Sequence, residues 1–219
     1  MADEGIPNRF QQSSPILASF PSQELATGLG YEVYYGVCQS FPASALAPYT
    51  TANPQYFLMD NNALDLYTDT TSTSTQTTAT LNFDSSPFKI PRVVSGKVFI
   101  NFAVKGHTTT TNCTFSARLY KYDGSTETAI TALQTLDYNG NNAPAVAMAA
   151  NQIVNFMAAI DATDTIIKVT EKLRLKVVVT DVDNEAITVY HDPLGRDVFS
   201  NSNFSSRMKI KVPFRNFQQ

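Results

Sequence analysis

Residues 171–193, EKLRLKVVVTDVDNEAITVYHDP, admit few folds. Leu173, Leu175, Val177 and Val179 fall at every second position. Lys172, Arg174, Lys176 and Thr180 fall between them, with Val178 the exception. A period of two places the sets on opposite faces of an extended strand, one dry and one wet. Asp181-Val-Asp-Asn-Glu185 then reads as a polar turn, because Asp and Asn side chains bond their own backbone. Ala186–Tyr190 reads as a β-branched and aromatic return strand. Pro193 has no amide proton, so the ladder is expected to stop near it. The segment predicts a β-hairpin within an antiparallel sandwich, and it displays little chemistry.

The same pattern recurs from residue 87 onward. Val98, Ile100, Phe102 and Val104 alternate between Gly96 and Gly106. Cys113, Phe115, Ala117 and Leu119 alternate in the run up to Asp123-Gly124, a strong turn signal. Residues 128–136 continue as a return strand through Ile130, and 153–160 and 165–169 as two short strands. Met208, Ile210 and Val212 make a final strand before Pro213. Upstream, 57–67 fits a strand or a short helix, and the Thr/Ser run 68–80 an exposed loop. The stretch 138–150 reads as a loop with room for one helical turn. Many short strands without a long helix predict an all-β, antiparallel β-sandwich, jelly-roll-like in character, over residues 57–219.

Residues 1–56 read differently. Pro7, Pro15, Pro21, Pro42, Pro48 and Pro54 interrupt them, and Tyr31–Val37 is their one expected strand. Yet the segment is rich in large apolar side chains, unlike a disordered tail. It is expected to be an extended, irregular N-terminal arm that lies on a neighbouring surface. Phe10, Ile16, Leu17, Phe20, Tyr31, Tyr34 and Tyr35 are its candidate interface residues.

Charged residues make up only 16% of the chain, against about 25% in ordinary globular proteins. A surface of neutral polar groups repels itself weakly and suits packing against neighbours. The net charge is −3 and there is no Lys/Arg block, which argues against nucleic acid as a partner. No run approaches the roughly 18 apolar residues of a membrane span. The N-terminus lacks an apolar core of the secretory type, so synthesis in the cytoplasm is expected. Asn112-Cys-Thr and Asn203-Phe-Ser then read as coincidental matches to the glycosylation pattern. Cys38 and Cys113 form no CxxC pair and read as buried thiols rather than a metal site, with a disulfide between them the alternative.

Chemical motifs are sparse. His191-Asp192 invites a triad, but no GxSxG elbow accompanies it, and His107 is the only other histidine. His191 is expected to be a hydrogen-bonded corner residue. Asp181-x-Asp-x-Glu185 resembles part of a calcium loop, but Ala186 stands where that loop needs glycine. Asp137, Asp161 and Asp164 sit in expected loops, where calcium between subunits remains open. The tyrosine cluster could stack on sugar rings, although the chain contains no Trp. No catalytic residue, metal or cofactor is expected.

Four runs carry a family likeness. They are Ser95-Gly-Lys-Val-Phe-Ile-Asn-Phe102, Cys113-Thr-Phe-Ser-Ala-Arg-Leu-Tyr-Lys-Tyr-Asp-Gly124, Lys172-Leu-Arg-Leu-Lys-Val177 and Ile187-Thr-Val-Tyr-His-Asp-Pro193. Together they resemble β-sandwich structural proteins of tailed-virus particles, such as those of tailed bacteriophages. The resemblance spans residues 90–193 and assigns no catalytic or binding residue. It implies a non-enzymatic virion component and fixes no position in the particle; a capsid decoration or cement subunit is the first expectation. A tail, neck or head-fibre component is the alternative, and a carbohydrate-binding β-sandwich module is a second class. The partners implied are other copies of the chain and virion proteins such as the major capsid protein.

Overall fold

The computed structural model describes residues 29–39, 55–59, 70–71, 73–76, 78–136, 146–181, 187–191 and 208–215. Among them all regular structure is β-strand, and fourteen strands join in one mixed sheet. Strand β6 (Arg92–Lys105) anchors the first layer. It pairs along one edge with β11 (Ile153–Ile167). Along the other it pairs with β14 (Lys209–Arg215) and β13 (Ile187–Tyr190). Strand β14 then carries the layer to β1 (Leu29–Gln39), and β1 to β2 (Gln55–Met59). The second layer is β7 (Thr111–Tyr122), β12 (Lys172–Asp181) and β5 (Thr78–Ser85), with β12 in the centre.

The two layers share one core. Val98, Ile100, Phe102 and Val104 from β6 are at most 1% exposed, as are Phe115, Leu119, Leu173, Leu175, Val177 and Val179 from β7 and β12. All belong to a single apolar cluster. The alternation read from the sequence therefore assigns the inward face correctly on all three strands. Phe102 lies opposite Phe156 in the β6–β11 register, and their rings stack with centroids 4.6 Å apart. Burying each such side chain contributes roughly 1.5–3 kcal/mol.

Strand β2 connects the layers. It runs antiparallel to β1 and parallel to β5, so the sheet is not purely antiparallel as expected. A parallel pair needs a long connection. Residues 60–77 supply it and include β3 (Thr70–Thr71) and β4 (Thr73–Gln76). The Thr/Ser run expected as a loop is thus partly strand: β3 pairs with β1, β4 with β13, and β5 begins at Thr78. Threonine's preference for extended backbone prevails there, with a neighbouring strand to pair each piece.

The expected hairpin between β12 and β13 does not form. Both edges of β12 are already occupied, by β5 and β7, so the return strand has no ladder to join. It crosses to the first layer and pairs with β6 and β4, burying Ile187 and Val189. Alternation tells which face is dry, but not which strand lies alongside. The Asp123-Gly124 turn does form and returns β7 into β8 (Glu127–Ala129). Asp123 Oδ1 accepts from the amides of Ser125 and Thr126 at 2.8 and 2.7 Å, and Gly124 takes a φ of 103°. The return region 128–136 is then split, with β9 (Gln134–Leu136) also on β7 and Ile130 buried between the two strands.

Three boundaries also move. The two short strands expected in 153–169 are one strand, β11, whose register shifts between Ala162 and Thr165. Gly96, opposite Ala162, meets that irregularity with a φ of 113°. Strand β14 runs through Pro213 instead of stopping before it. Its ladder to β6 breaks between Lys211 and Phe214, where the missing proline donor is least costly. Residues 146–148 of the expected loop form β10 (Val146–Met148) on β7.

Leu175 contacts the core from the central strand of the second layer, and Leu175→Ala should destabilise the chain by about 2–5 kcal/mol in urea unfolding. A loss below about 0.5 kcal/mol, typical of surface sites, would place this face outside the core.

Candidate interaction face

The outward faces of the two layers differ in chemistry. On the second layer, the polar residues of β12 meet partners from both neighbours. Arg174 donates to both carboxylate oxygens of Asp84 on β5, at 2.6 and 2.7 Å. It also donates to Glu127 on β8 at 2.9 Å, and its guanidinium lies 3.6 Å from the Tyr122 ring centroid. Lys176 pairs with the other oxygen of Glu127. The Lys176 bond, then that of Arg174, holds the Glu127 carboxyl below its ordinary range, against partial burial. The bond to Asp84, helped by that to Glu127, pushes Arg174 still further above its usual range. Arg174 and Lys176 are thus satisfied within this face.

The outward face of the first layer does not. The registers of β1, β14, β6 and β11 place Val33, Lys211, Phe99 and Ala159 on one rung. The next rung holds Tyr35, Lys209, Asn101 and Met157. Phe99 is 41% exposed and Met157 65% exposed, large values for such side chains. The Tyr31 ring lies 5.9 Å from that of Phe99 at a 50° tilt. All of these residues except Tyr35 line a shallow depression of about 720 Å³. Lys209 lies over the Tyr35 ring at 5.6 Å. Among the described residues neither Lys209 nor Lys211 forms an ion pair. Exposed apolar side chains are ordinary when scattered, but grouped on one face they mark an interaction site.

The residues singled out in the sequence are distributed as follows. Tyr31 lies on this face and lines the depression. Tyr34 and Tyr35 are 7% and 8% exposed; Tyr34 belongs to the main core, and Tyr35 packs with Val37, Val33 and Met59. Phe10, Ile16, Leu17 and Phe20 lie outside the described residues, as do Asp137, Asp183, Glu185 and Asp192. Strand β1, which falls within the expected arm 1–56, is hydrogen-bonded into the first layer. Cys38 is in β1 and Cys113 in β7.

His191 is fully buried, with Tyr56 and Phe83 each 6.0 Å from its ring, both in edge-on contact. Asp161 and Asp164 are not in loops but in β11. Asp161 pairs with Lys97 at 2.9 Å. Asp164 accepts from the buried Ser95 hydroxyl at 2.6 Å and faces Arg215 at 3.7 Å. Arg215 also donates to Ser95 at 2.9 Å, so one polar knot ties β6, β11 and β14. Its members stand at positions 95, 164 and 215, and no local motif announces them. Among the described residues no group of three His, Cys, Asp or Glu side chains is placed to hold a metal.

No family model matches the chain, and no curated protein matches it. Solved structures do. A CocE/NonD family hydrolase from Staphylococcus aureus is similar at 12% identity and a TM-score of 0.48, over 86% of this chain and 37% of the hydrolase. The enzymatically active domain of tailspike protein 4 from bacteriophage CBA120 is similar at 7% identity and 0.30, over 84% of this chain and 19% of that one. A structure of infectious bursal disease virus, Gx strain, is similar at 13% and 0.25, over 80% and 41%. The chain thus spans less than half the length of each. At these scores the likeness carries no function across. It does correct the expectation that the chain is not an enzyme: hydrolases stand among the structures it is similar to, so that exclusion is withdrawn. A missing GxSxG elbow removes one arrangement of a nucleophile and nothing more.

The ion network gives a pH signature. Because the Glu127 pKa is lowered on folding, its contribution is complete above the ordinary Glu value and is lost as pH falls through the folded value. Chemical unfolding between pH 6 and pH 3 should show an acid-side loss of stability that is smaller in Glu127→Gln. Identical pH profiles would mean that the network adds nothing in solution.

Proposed function

We propose that this chain is a structural component of a viral particle, a capsid decoration or cement subunit that attaches to neighbours through the outward face of its first layer. One observation carries the reading: Phe99, Met157 and Tyr31 are grouped on an exposed face whose Lys209 and Lys211 have no acidic partner among the described residues, while Arg174 and Lys176 on the opposite outward face are paired with Asp84 and Glu127. An apolar group of this kind gains about 25 cal/mol for each Å² that a partner removes from water. Each contact is modest, and repetition over a particle surface multiplies it. The low charge content and the sequence runs that resemble tailed-virus structural proteins agree with this role. Other copies of the chain and the major capsid protein are the partners proposed, and the virion is the proposed location.

The experiment is co-sedimentation of the purified chain with particles from which it has been stripped. Phe99→Ser and Met157→Ser should each weaken attachment by roughly tenfold, the scale of about 1.4 kcal/mol, with unchanged thermal unfolding. Attachment at wild-type strength by a folded double variant would reject this face as the site. Failure of the wild-type chain to join any particle would reject the virion role itself.

A further inference from the structure

We infer that the partner seated on this face is a protein segment carrying a carboxylate between apolar side chains. The inference rests on the reading of the face as an attachment site and names the chemistry of what it holds. Lys211 stands between Val33 on β1 and Phe99 on β6, in the middle of a rung that is otherwise apolar. Lys209 occupies the same strand one rung along, between Tyr35 and Asn101. A partner cannot cover Phe99 without also covering Lys211.

An ammonium taken out of water without a counter-charge costs far more than the apolar contact returns. Nothing within the described residues supplies that charge: in this layer Asp161 is already paired with Lys97 and Glu32 with Arg92. The partner must therefore bring it. Apolar groups on both sides of the carboxylate would fill the depression against Phe99 and Met157 on one side and Val33 on the other. A neutral or basic apolar segment would bury the lysines unpaired and is selected against, which gives the face its specificity.

The test uses the full chain and an array of synthetic twelve-residue peptides. Each peptide has Leu or Phe flanking a central Asp, Glu, Gln or Lys. The chain should bind the Asp- and Glu-centred peptides at least about tenfold more strongly than the Gln-centred ones. Lys211→Glu should abolish that preference and transfer it to the Lys-centred peptides, a gain that only a folded variant can show. Equal binding of all centres, unchanged preference in Lys211→Glu, or no binding to any peptide overturns the inference. Each of these results leaves the particle co-sedimentation assay unaffected, so the two ideas fail separately.

Discussion

Strand β6 is hydrogen-bonded along both edges, and the rest of the structure depends on that. Its one side is filled by β11, and its other side is shared between β14 and β13. The inward side chains of β6 sit in the single core that the second layer closes. Its outward side chains include Phe99 and Asn101, which line the exposed face. Core and face are therefore two sides of one strand, and period two makes them so. A one-residue slip of β6 would exchange them and put Phe99 inside and Ile100 outside.

The contrast between the two outward faces follows from where opposite charges fall in the register. On β12, Arg174 stands directly across from Asp84, and the β7–β8 turn brings Glu127 within reach of both Arg174 and Lys176. On β14, Lys209 and Lys211 stand across from Asn101 and Phe99 on one side and from Tyr35 and Val33 on the other. Half-buried ion pairs of this kind contribute modestly to stability, but a paired face has little to offer a partner. A face with apolar groups and unmatched cations has both adhesion and selectivity to offer.

Local features of the fold were legible in the sequence where they depend on one strand at a time. Alternation gave the inward residues of β6, β7 and β12, and Asp123-Gly124 gave the turn that their geometry requires. Features that depend on which strands meet were not legible. The crossing of β13 to the first layer, the parallel β2–β5 pair and the Ser95–Asp164–Arg215 knot all join distant positions. The interaction face belongs with these, because it is assembled from β1, β6, β11 and β14. Among its residues Tyr31 and Tyr35 were singled out, through their place in an aromatic cluster. Phe99 and Met157 each read as unremarkable outward positions until the register set them on adjacent rungs.

The central claim is that the first-layer face is covered when the chain does its work. Lysine footprinting of the chain on its particle and free in solution tests this directly, because the two outward faces carry lysines that serve as internal controls. Reductive methylation should be slowed at Lys209 and Lys211 on the particle, while Lys172 and Lys176 on the opposite face react at the same rate in both states. Equal reactivity of Lys211 in the bound and free states, or protection confined to Lys172 and Lys176, would contradict the account.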